Sequence, residues 1–538
     1  MGEKYQDIQS MLASLSNARL TRRGLLRYAA VGGVLAGVGP LAAGCGGSSE
    51  PTSSSSASAS PKQGGSLRIG IVGGGPQDTL DGQNATSEPQ ICTTYQLYNA
   101  LLGWDADYQI MPLLATEWSA NADASVWTVK LRDGVVFHDG TPMTADDVVY
   151  SYQRIIDPKS PKMGASQLGL LSMSGIRKVD ATTIEFHLDS PSAIFEEAMA
   201  LYANCIVPQG FDPRKPVGTG PFKIKVDKPG QEYVFDANKE YWGDGPYVDQ
   251  LTIIEFADPT ARVNALLGGS VDAISQLPAA QVKVVEGQGM KVLNATTGAW
   301  QPFTMRIDQK PFDDVKVHQA FRLIVDREAM INQAYAGFGG IGNDMYAPYD
   351  PGTPQLPQRS QDLEQAKALL KQAGYDGNLE VTLHTSEAIG SAAVAAAQVF
   401  AEQAKGAGVK VNVKKVDSGA YWSEGNYLTY AFSQDFWYTR NYLSQTGQGT
   451  MPKAPYNETH WKNDQWQAIV EEAMKTGDET RREELIAQAQ EIEHNEGGYI
   501  VWSFNNQIDG YSSKLGGVVP AKSGVPLSSF HFKNFFFI

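Results

Sequence analysis

Between Val126 and Ile156 the chain sets a strand, a pair of tight turns and a capped helix in direct succession, and this limits its fold class more than any other feature. In Val126–Arg132, Trp127, Val129 and Leu131 alternate with polar neighbours, the period-2 pattern of a half-buried strand. Asp133-Gly134 and Asp139-Gly140 flank Val135-Val136-Phe137 and predict a tight hairpin region. Thr144 then stands as an N-cap before Asp146-Asp147, whose charges suit a helix N-terminus. Val148, Tyr152, Ile155 and Ile156 share one helical face, and Asp157-Pro158 stops the helix. Strands and helices are therefore mixed, and the expected class is α/β without a steady βαβ rhythm.

The rest of the body repeats this mixture. Ile184, Phe186 and Leu188 alternate with Glu185 and His187, which predicts a strand with His187 turned to solvent. Leu363, Ala366, Leu370 and Ala373 form a helical stripe that ends at Gly374. Residues 479–496 read as a charged helix, followed by one apolar strand from Tyr499 to Phe504. The Gly- and Pro-rich stretch 339–357 reads as a long loop. A chain of 538 residues is too long for one core, so two or three lobes are expected.

The first 65 residues read as an address and a tether. Arg22-Arg23 precedes an uncharged, Gly-rich stretch, Tyr28 to Gly44, of 17 residues, shorter than a membrane span needs. Basic residues, a short apolar stretch and small residues describe an export signal, and the twin arginine suggests the route for folded proteins. Leu41-Ala42-Ala43-Gly44-Cys45 looks like a bacterial lipobox, which would make Cys45 the lipidated N-terminus of the mature protein. Gly46 to Ser60 holds eight serines in fifteen residues and nothing apolar larger than alanine, a flexible tether. Five basic and two acidic residues precede residue 45, so cleavage takes the net charge from −15 to −18. That balance argues against a nucleic-acid partner, whose phosphates call for Lys and Arg.

No catalytic motif stands out. The sequence has no Walker loop, no His-Glu-x-x-His and no Gly-x-Ser-x-Gly elbow. Gly70 to Gly75 follows a plausible strand, Leu67 to Val72, but Pro76 comes next and no amphipathic helix follows, which disfavours a dinucleotide turn. The seven histidines are scattered without metal spacing, and His138, in a Phe-His-Asp-Gly turn, reads as a structural hydrogen-bonding residue. Asp146-Asp147 and Asp313-Asp314 read as helix starts. Cys92 and Cys205 either pair or stay as separate buried thiols. A binding protein without cofactor or metal is the expectation, and an enzyme the weaker alternative.

The block Leu131-Arg132-Asp133-Gly134-Val135-Val136-Phe137-His138-Asp139-Gly140-Thr141-Pro142-Met143-Thr144-Ala145-Asp146-Asp147-Val148 resembles the signature of the family 5 solute-binding proteins of bacterial ABC importers, which include dipeptide, oligopeptide and nickel binders. Further pieces follow in the family's order: Gly218-Thr219-Gly220-Pro221-Phe222, then Asn238 with Tyr241-Trp242, then Pro311-Phe312-Asp313-Asp314, then Val325-Asp326-Arg327-Glu328-Ala329. The resemblance covers roughly residues 66–538. It implies a two-lobe periplasmic-binding-protein fold with an extra N-terminal subdomain in lobe one and a ligand held between the lobes. With residues 1–44 read as the signal and 45–65 as the lipidated tether, that pattern makes 66–300 lobe one, 301–502 lobe two and about 503–538 a return to lobe one. The partners implied are a short peptide, an ABC permease with its ATPase subunits, and the membrane through the N-terminal lipid. A monomer on the outer face of the cytoplasmic membrane is expected. An oligosaccharide or other small organic solute is the alternative ligand, and a nickel chelate or haem is disfavoured because no His cluster marks a site.

In peptide-binding members, an aspartate in a Trp-x-x-Asp sequence meets the peptide's α-ammonium, and the matching stretch is Phe432-Ser433-Gln434-Asp435. A carboxylate in a dry cleft needs a cation or several N–H donors. Asp435 otherwise caps the following element or pairs with Arg440. Phe432 replaces the family's tryptophan, and residues 427–442 hold seven aromatics in sixteen positions, which suits apolar side chains, sugar faces or cations. Trp422 and Trp437 are the preferred cleft residues, Phe432, Tyr438 and Arg440 are further ligand-binding candidates, and Trp300 stands near the inter-lobe crossing. Arg306 stands where the family carries asparagine, and either meets a ligand carboxylate or braces the hinge.

Overall fold

A computed structural model of the protein describes residues 61–121, 124–390, 392–423 and 425–538. The twin arginine Arg22-Arg23, Cys45 and the serine-rich tether lie outside the described residues. Strand Ser66–Val72 sits inside an eight-stranded mixed sheet, parallel to Gln250–Phe256 on one side and to Ala273–Ile274 on the other. The sheet runs Lys291–Trp300, Ser503–Tyr511, Ala273–Ile274, Ser66–Val72, Gln250–Phe256, Glu232–Ala237, Phe222–Lys228, and its eighth strand, Gly339–Ile341, pairs with Ser503–Tyr511 off this path. Leu67, Ile69 and Ile71 are buried there with Phe530, Phe532 and Phe535, so both ends of the described chain share one core. Cys92 and Cys205 lie in this core as separate free thiols.

A four-stranded antiparallel sheet forms beside it in the order Ala115–Ala120, Val126–Leu131, Thr183–Leu188, Leu171–Lys178. Trp127, Val129 and Leu131 turn inward as their alternation requires, and helix Ala145–Ile155 packs Val148, Tyr152 and Ile155 on the same core. The Asp147 carboxylate accepts from the Thr144 N–H (2.8 Å) and hydroxyl (3.0 Å), which fixes the helix start. In the turn ahead of it, Val136 bridges Pro142 in place of a full hairpin. His187 is half-buried, not turned freely to solvent, and its Nε2 lies 2.8 Å from Glu185 Oε2.

The signature motifs meet at one knot. His138 Nε2 lies 3.0 Å from Gly220 O, and the Gly218 N–H points at His138 Nδ1 at 3.4 Å. Asn99 Oδ1 accepts from Thr219 Oγ1 (3.1 Å) and Trp242 Nε1 (3.2 Å), while Asn238 Nδ2 donates to Gly220 O (3.0 Å). A Cβ at Gly218 or Gly220 would fall 2.0 Å and 2.3 Å from the carbonyl oxygens of Leu97 and Gln96, so only glycine allows this approach. Burial lowers the His138 pKa to about 4, so its imidazole is neutral and serves as donor and acceptor.

The second body has a three-stranded sheet, Phe432–Gln434, Phe303–Met305, Tyr499–Ile500, and the parallel pair Leu379–Thr385 with Val409–Lys415. Helices Val315–Ile324, Leu363–Gln372 and Ala393–Lys405 cover a core that includes Phe321, Leu370 and Phe400. Asp314 caps the first of these through the Lys316 N–H.

Two crossings join the bodies: Trp300 to Phe303, and Ile500 to Ser503. The expected single strand Tyr499–Phe504 is therefore two strands in different sheets. Its apolar run from Tyr499 to Trp502 continues through the crossing because Val501 and Trp502 are themselves buried there. Trp502 Nε1 donates to Gln301 O at 2.9 Å and ties one crossing to the other. The expected loop 339–357 is also not wholly irregular, since Gly339–Ile341 pairs antiparallel with Ser503–Asn505. Together these elements form a two-lobe α/β fold.

Candidate ligand-binding site

Just beyond the crossings, strand Phe432–Gln434 delivers the aromatic segment. Phe432 faces inward, 0% exposed, with its ring centroid 5.2 Å from Phe312 and 5.7 Å from Phe400. It is a core residue of the second lobe and not a cleft residue, because alternation along the strand turns it to the helices. Trp300 is 1% exposed and stacks between Tyr346 (5.2 Å) and Trp437 (6.1 Å).

Asp435 follows the strand and is buried. Its Oδ1 accepts from the Phe436 N–H at 2.6 Å and its Oδ2 from the Tyr427 hydroxyl at 2.9 Å. Its carboxyl also shares a hydrogen bond with that of Glu458. Glu458, buried as well, accepts from Trp437 Nε1 (3.1 Å) and the Tyr499 hydroxyl (2.6 Å). Burial raises the pKa of both acids, and the Asp435 charge pushes Glu458 further up. The two carboxyls share that hydrogen bond with no basic side chain paired to either among the described residues, an arrangement that disfavours ionisation of both at once. Arg440 does not pair with Asp435.

Aromatic rings surround the acid pair. Trp422 meets Tyr427 at 5.0 Å and Phe436 at 5.7 Å, Tyr427 meets Tyr456 at 6.4 Å, and Tyr456 meets Trp437 at 6.1 Å. Tyr438 is 65% exposed and packs edge-on against Phe436 at 5.7 Å. Arg440 sits over the Trp437 ring at 5.5 Å, with Nη1 buried and without a partner. Burial lowers its pKa. Arg440 also lines a crevice of about 50 Å³ with Glu197, Ser444 and Gln448. The Trp437 indole thus carries an acid at its N–H and a guanidinium on its face.

Arg306 is held elsewhere. Its Nε donates to Asp308 Oδ1 (2.8 Å), its Nη2 to Asp308 Oδ2 (3.1 Å) and its Nη1 to Leu428 O (2.8 Å), so it braces the loop that carries Tyr427. The structure thus brings Asp435, Trp437, Tyr438, Trp422 and Arg440 into one neighbourhood, with Trp300 stacked behind Trp437, and leaves Phe432 and Arg306 outside it. Sequence reasoning missed Glu458, Tyr427 and Tyr499. Glu458 sits in an ordinary polar stretch, Tyr456-Asn457-Glu458-Thr459, and only the tertiary pairing with Asp435 distinguishes it. Among the described residues, no cluster of three or more His, Cys, Asp or Glu side chains could hold a metal ion. No helix among them is long and apolar enough to cross a membrane.

The model of the bacterial extracellular solute-binding proteins, family 5 Middle, matches residues 109–453. Di/tripeptide-binding protein 2 of Pseudomonas aeruginosa (strain UCBPP-PA14) is 26% identical over 444 residues, covering 75% of this chain and 83% of that protein. The dipeptide-binding protein of Escherichia coli (strain K12) is 26% identical over 487 residues, covering 82% and 90%. The ABC transporter substrate-binding protein CtaP of Listeria monocytogenes shares the fold with a TM-score of 0.77 at 23% identity, covering 88% of this chain and 100% of that one. This chain belongs to the family 5 bacterial extracellular solute-binding proteins.

Proposed function

We propose that this protein captures a short peptide between its two lobes and delivers it to the permease of an ABC importer. The peptide's ammonium meets the Asp435–Glu458 pair and its carboxylate meets Arg440. One observation carries this reading: a buried acid pair without a basic partner and a guanidinium whose buried Nη1 has no partner lie on two sides of one indole, Trp437. A zwitterion supplies the missing cation to the first and the missing anion to the second. The di/tripeptide- and dipeptide-binding relatives support the same ligand class. Residues 66–300 with 503–538 form lobe one and 301–502 lobe two, and closure of the lobes over the peptide signals the loaded state. A twin-arginine signal at Arg22-Arg23 exports the chain, and a lipid on Cys45 holds it at the membrane surface.

Calorimetric titration with di- to hexapeptides tests the reading, with N-acetylated and C-amidated copies as controls. The free peptide binds, and each blocked end weakens binding by roughly 10–100-fold, the worth of one charge-assisted hydrogen bond. The exposed rings of Tyr438 and Tyr456 favour an oligosaccharide as the second reading. Binding of a sugar but of no peptide would replace the first reading by the second.

A further inference from the structure

A second cavity, of about 330 Å³, lies away from the acid pair and within the size range of small-molecule sites. Every residue around it comes from 94–113, 200–241 or 519–534, so no part of it belongs to the segment that carries Asp435. One wall is formed by Ser528, Ser529 and Phe530, which belong to the turn Leu527–Phe530, whose four residues all have left-handed φ, 49°, 59°, 57° and 58°. Such a conformation costs of the order of 1–3 kcal/mol per residue and persists only where the surroundings impose it. Here the Leu527 N–H is fixed to Asp509 Oδ2 (2.6 Å), the Val519 N–H to Ser528 Oγ (2.9 Å), and the Ser523 and Ser529 hydroxyls to one another (2.8 Å).

Among the polar groups around this cavity, Gln96 carries a buried atom without a partner. Gln96 is fully buried, and its Nε2 donates to Cys92 O and Phe530 O, both at 2.9 Å. Its Oε1 is buried with nothing bonded to it. The Tyr95 hydroxyl and the His531 ring nitrogens have no hydrogen bond among the described residues, although the two rings meet edge to face at 5.6 Å. Burial lowers the His531 pKa to about 4 and leaves the imidazole neutral. Lys533 Nζ reaches only Asp244 O at 3.4 Å and the Tyr241 ring at 5.2 Å, with no carboxylate in ion-pair range. The one acid side chain on the wall, Asp105, already accepts from the N–H groups of Asp107 and Gln109, both at 2.8 Å. The remaining walls mix aromatic rings, Trp104 and Tyr202 among them, with aliphatic residues such as Leu102, Met111 and Leu113.

We propose that this cavity is a second binding site, inside lobe one, for an aromatic carboxylate. The ring stacks among Tyr95, Trp104 and Tyr202, a ring N–H or O–H donates to Gln96 Oε1, and the carboxylate meets the Lys533 ammonium. A carboxylate supplies the counter-ion that Lys533 lacks, and a ring donor supplies the hydrogen bond that Gln96 lacks. The site stands apart from the peptide reading and survives its failure.

Calorimetry on the full body, residues 46–538, tests this with indole-3-acetate and 4-hydroxyphenylacetate, and with phenethylamine as the control of opposite charge. Both acids bind one to one, in the wild type and in Asp435→Asn alike, and phenethylamine does not. Lys533→Met and Gln96→Leu each weaken the acids by about tenfold or more while leaving peptide binding unchanged. No binding of either acid at millimolar concentration overturns the proposal. So does loss of binding in Asp435→Asn with none in Lys533→Met, which places the acid in the inter-lobe cleft. Should a variant fail to fold, the imidazole proton signals of His531 in the wild type, assigned through His531→Gln, decide the matter. They shift on titration with the acids, and unshifted signals overturn the proposal.

Discussion

At Asp435 the chain places a carboxylate where one neighbour is another carboxylate, that of Glu458, and the pair must either keep a proton or gain a cation. A ligand ammonium therefore competes with a proton. Both acids have raised pKa values, so as pH falls the pair takes up protons and affinity for an ammonium falls with it; as pH rises the proton leaves and affinity grows. Peptide titrations in buffers of different ionisation enthalpy should show proton release on binding. Glu458→Gln should abolish that release while weakening binding less than Asp435→Asn, which removes the charge nearer the proposed ammonium. Binding without proton release, unchanged by Glu458→Gln, would show that the pair does not exchange its proton for the ligand. Asp435 was visible in the sequence because its Phe-x-x-Asp spacing follows a family motif. Glu458 was not, because nothing in its local sequence records a contact made across 23 residues of chain.

Elements were legible where the signal is local and obscure where it depends on pairing. Helix Glu479–Glu496 has the ends that its charge pattern predicts, and Thr144 and Asp314 start their helices as their positions require. Tyr499–Phe504 shows the opposite case. Six buried residues read as one strand, but the chain changes sheets in their midst, and burial alone carries no sign of which sheet a residue joins. The crossing is tight enough to test. A Cβ at Gly342 would lie 2.3 Å from Val501 O and 2.8 Å from Ser503 N, backbone atoms that cannot step aside. Gly342→Ala should cost about 1–3 kcal/mol, as other overpacked substitutions do. Gly287→Ala, in a helix with open space around the position, should change stability by less than about 1 kcal/mol and in the favourable direction. Urea denaturation of both variants measures this, and equal stabilities would show that the crossing is slack.

Across the whole molecule, the lobes meet through a group that titrates. Glu197 lies on helix Phe195–Met199 beside the four-stranded sheet, and its carboxyl accepts from Asn441 Nδ2 (3.2 Å) and from the Ser444 hydroxyl, both on the far side of the crossings. Burial pushes its pKa up to about 7, with the two hydrogen bonds opposing the shift and Asp350 and Glu196 adding to it. Arg440 lines the same crevice without an ion pair to Glu197. With the lobes apart, Glu197 regains water and an ordinary pKa near 4.5. The contact is thus fully favoured below that value and weakens as pH rises through about 7, because the separated state then binds fewer protons than the joined one. Small-angle scattering of the ligand-free protein should show a larger radius of gyration at pH 8 than at pH 5. Glu197→Gln keeps an acceptor for Asn441 and Ser444 but cannot ionise, so its radius should stay at the pH 5 value throughout. A wild-type radius independent of pH would mean that this contact does not set the angle between the lobes. A variant that still opens at pH 8 would assign the opening to another group, such as Asp350, also raised by burial and hydrogen-bonded to the Tyr442 N–H at 2.8 Å.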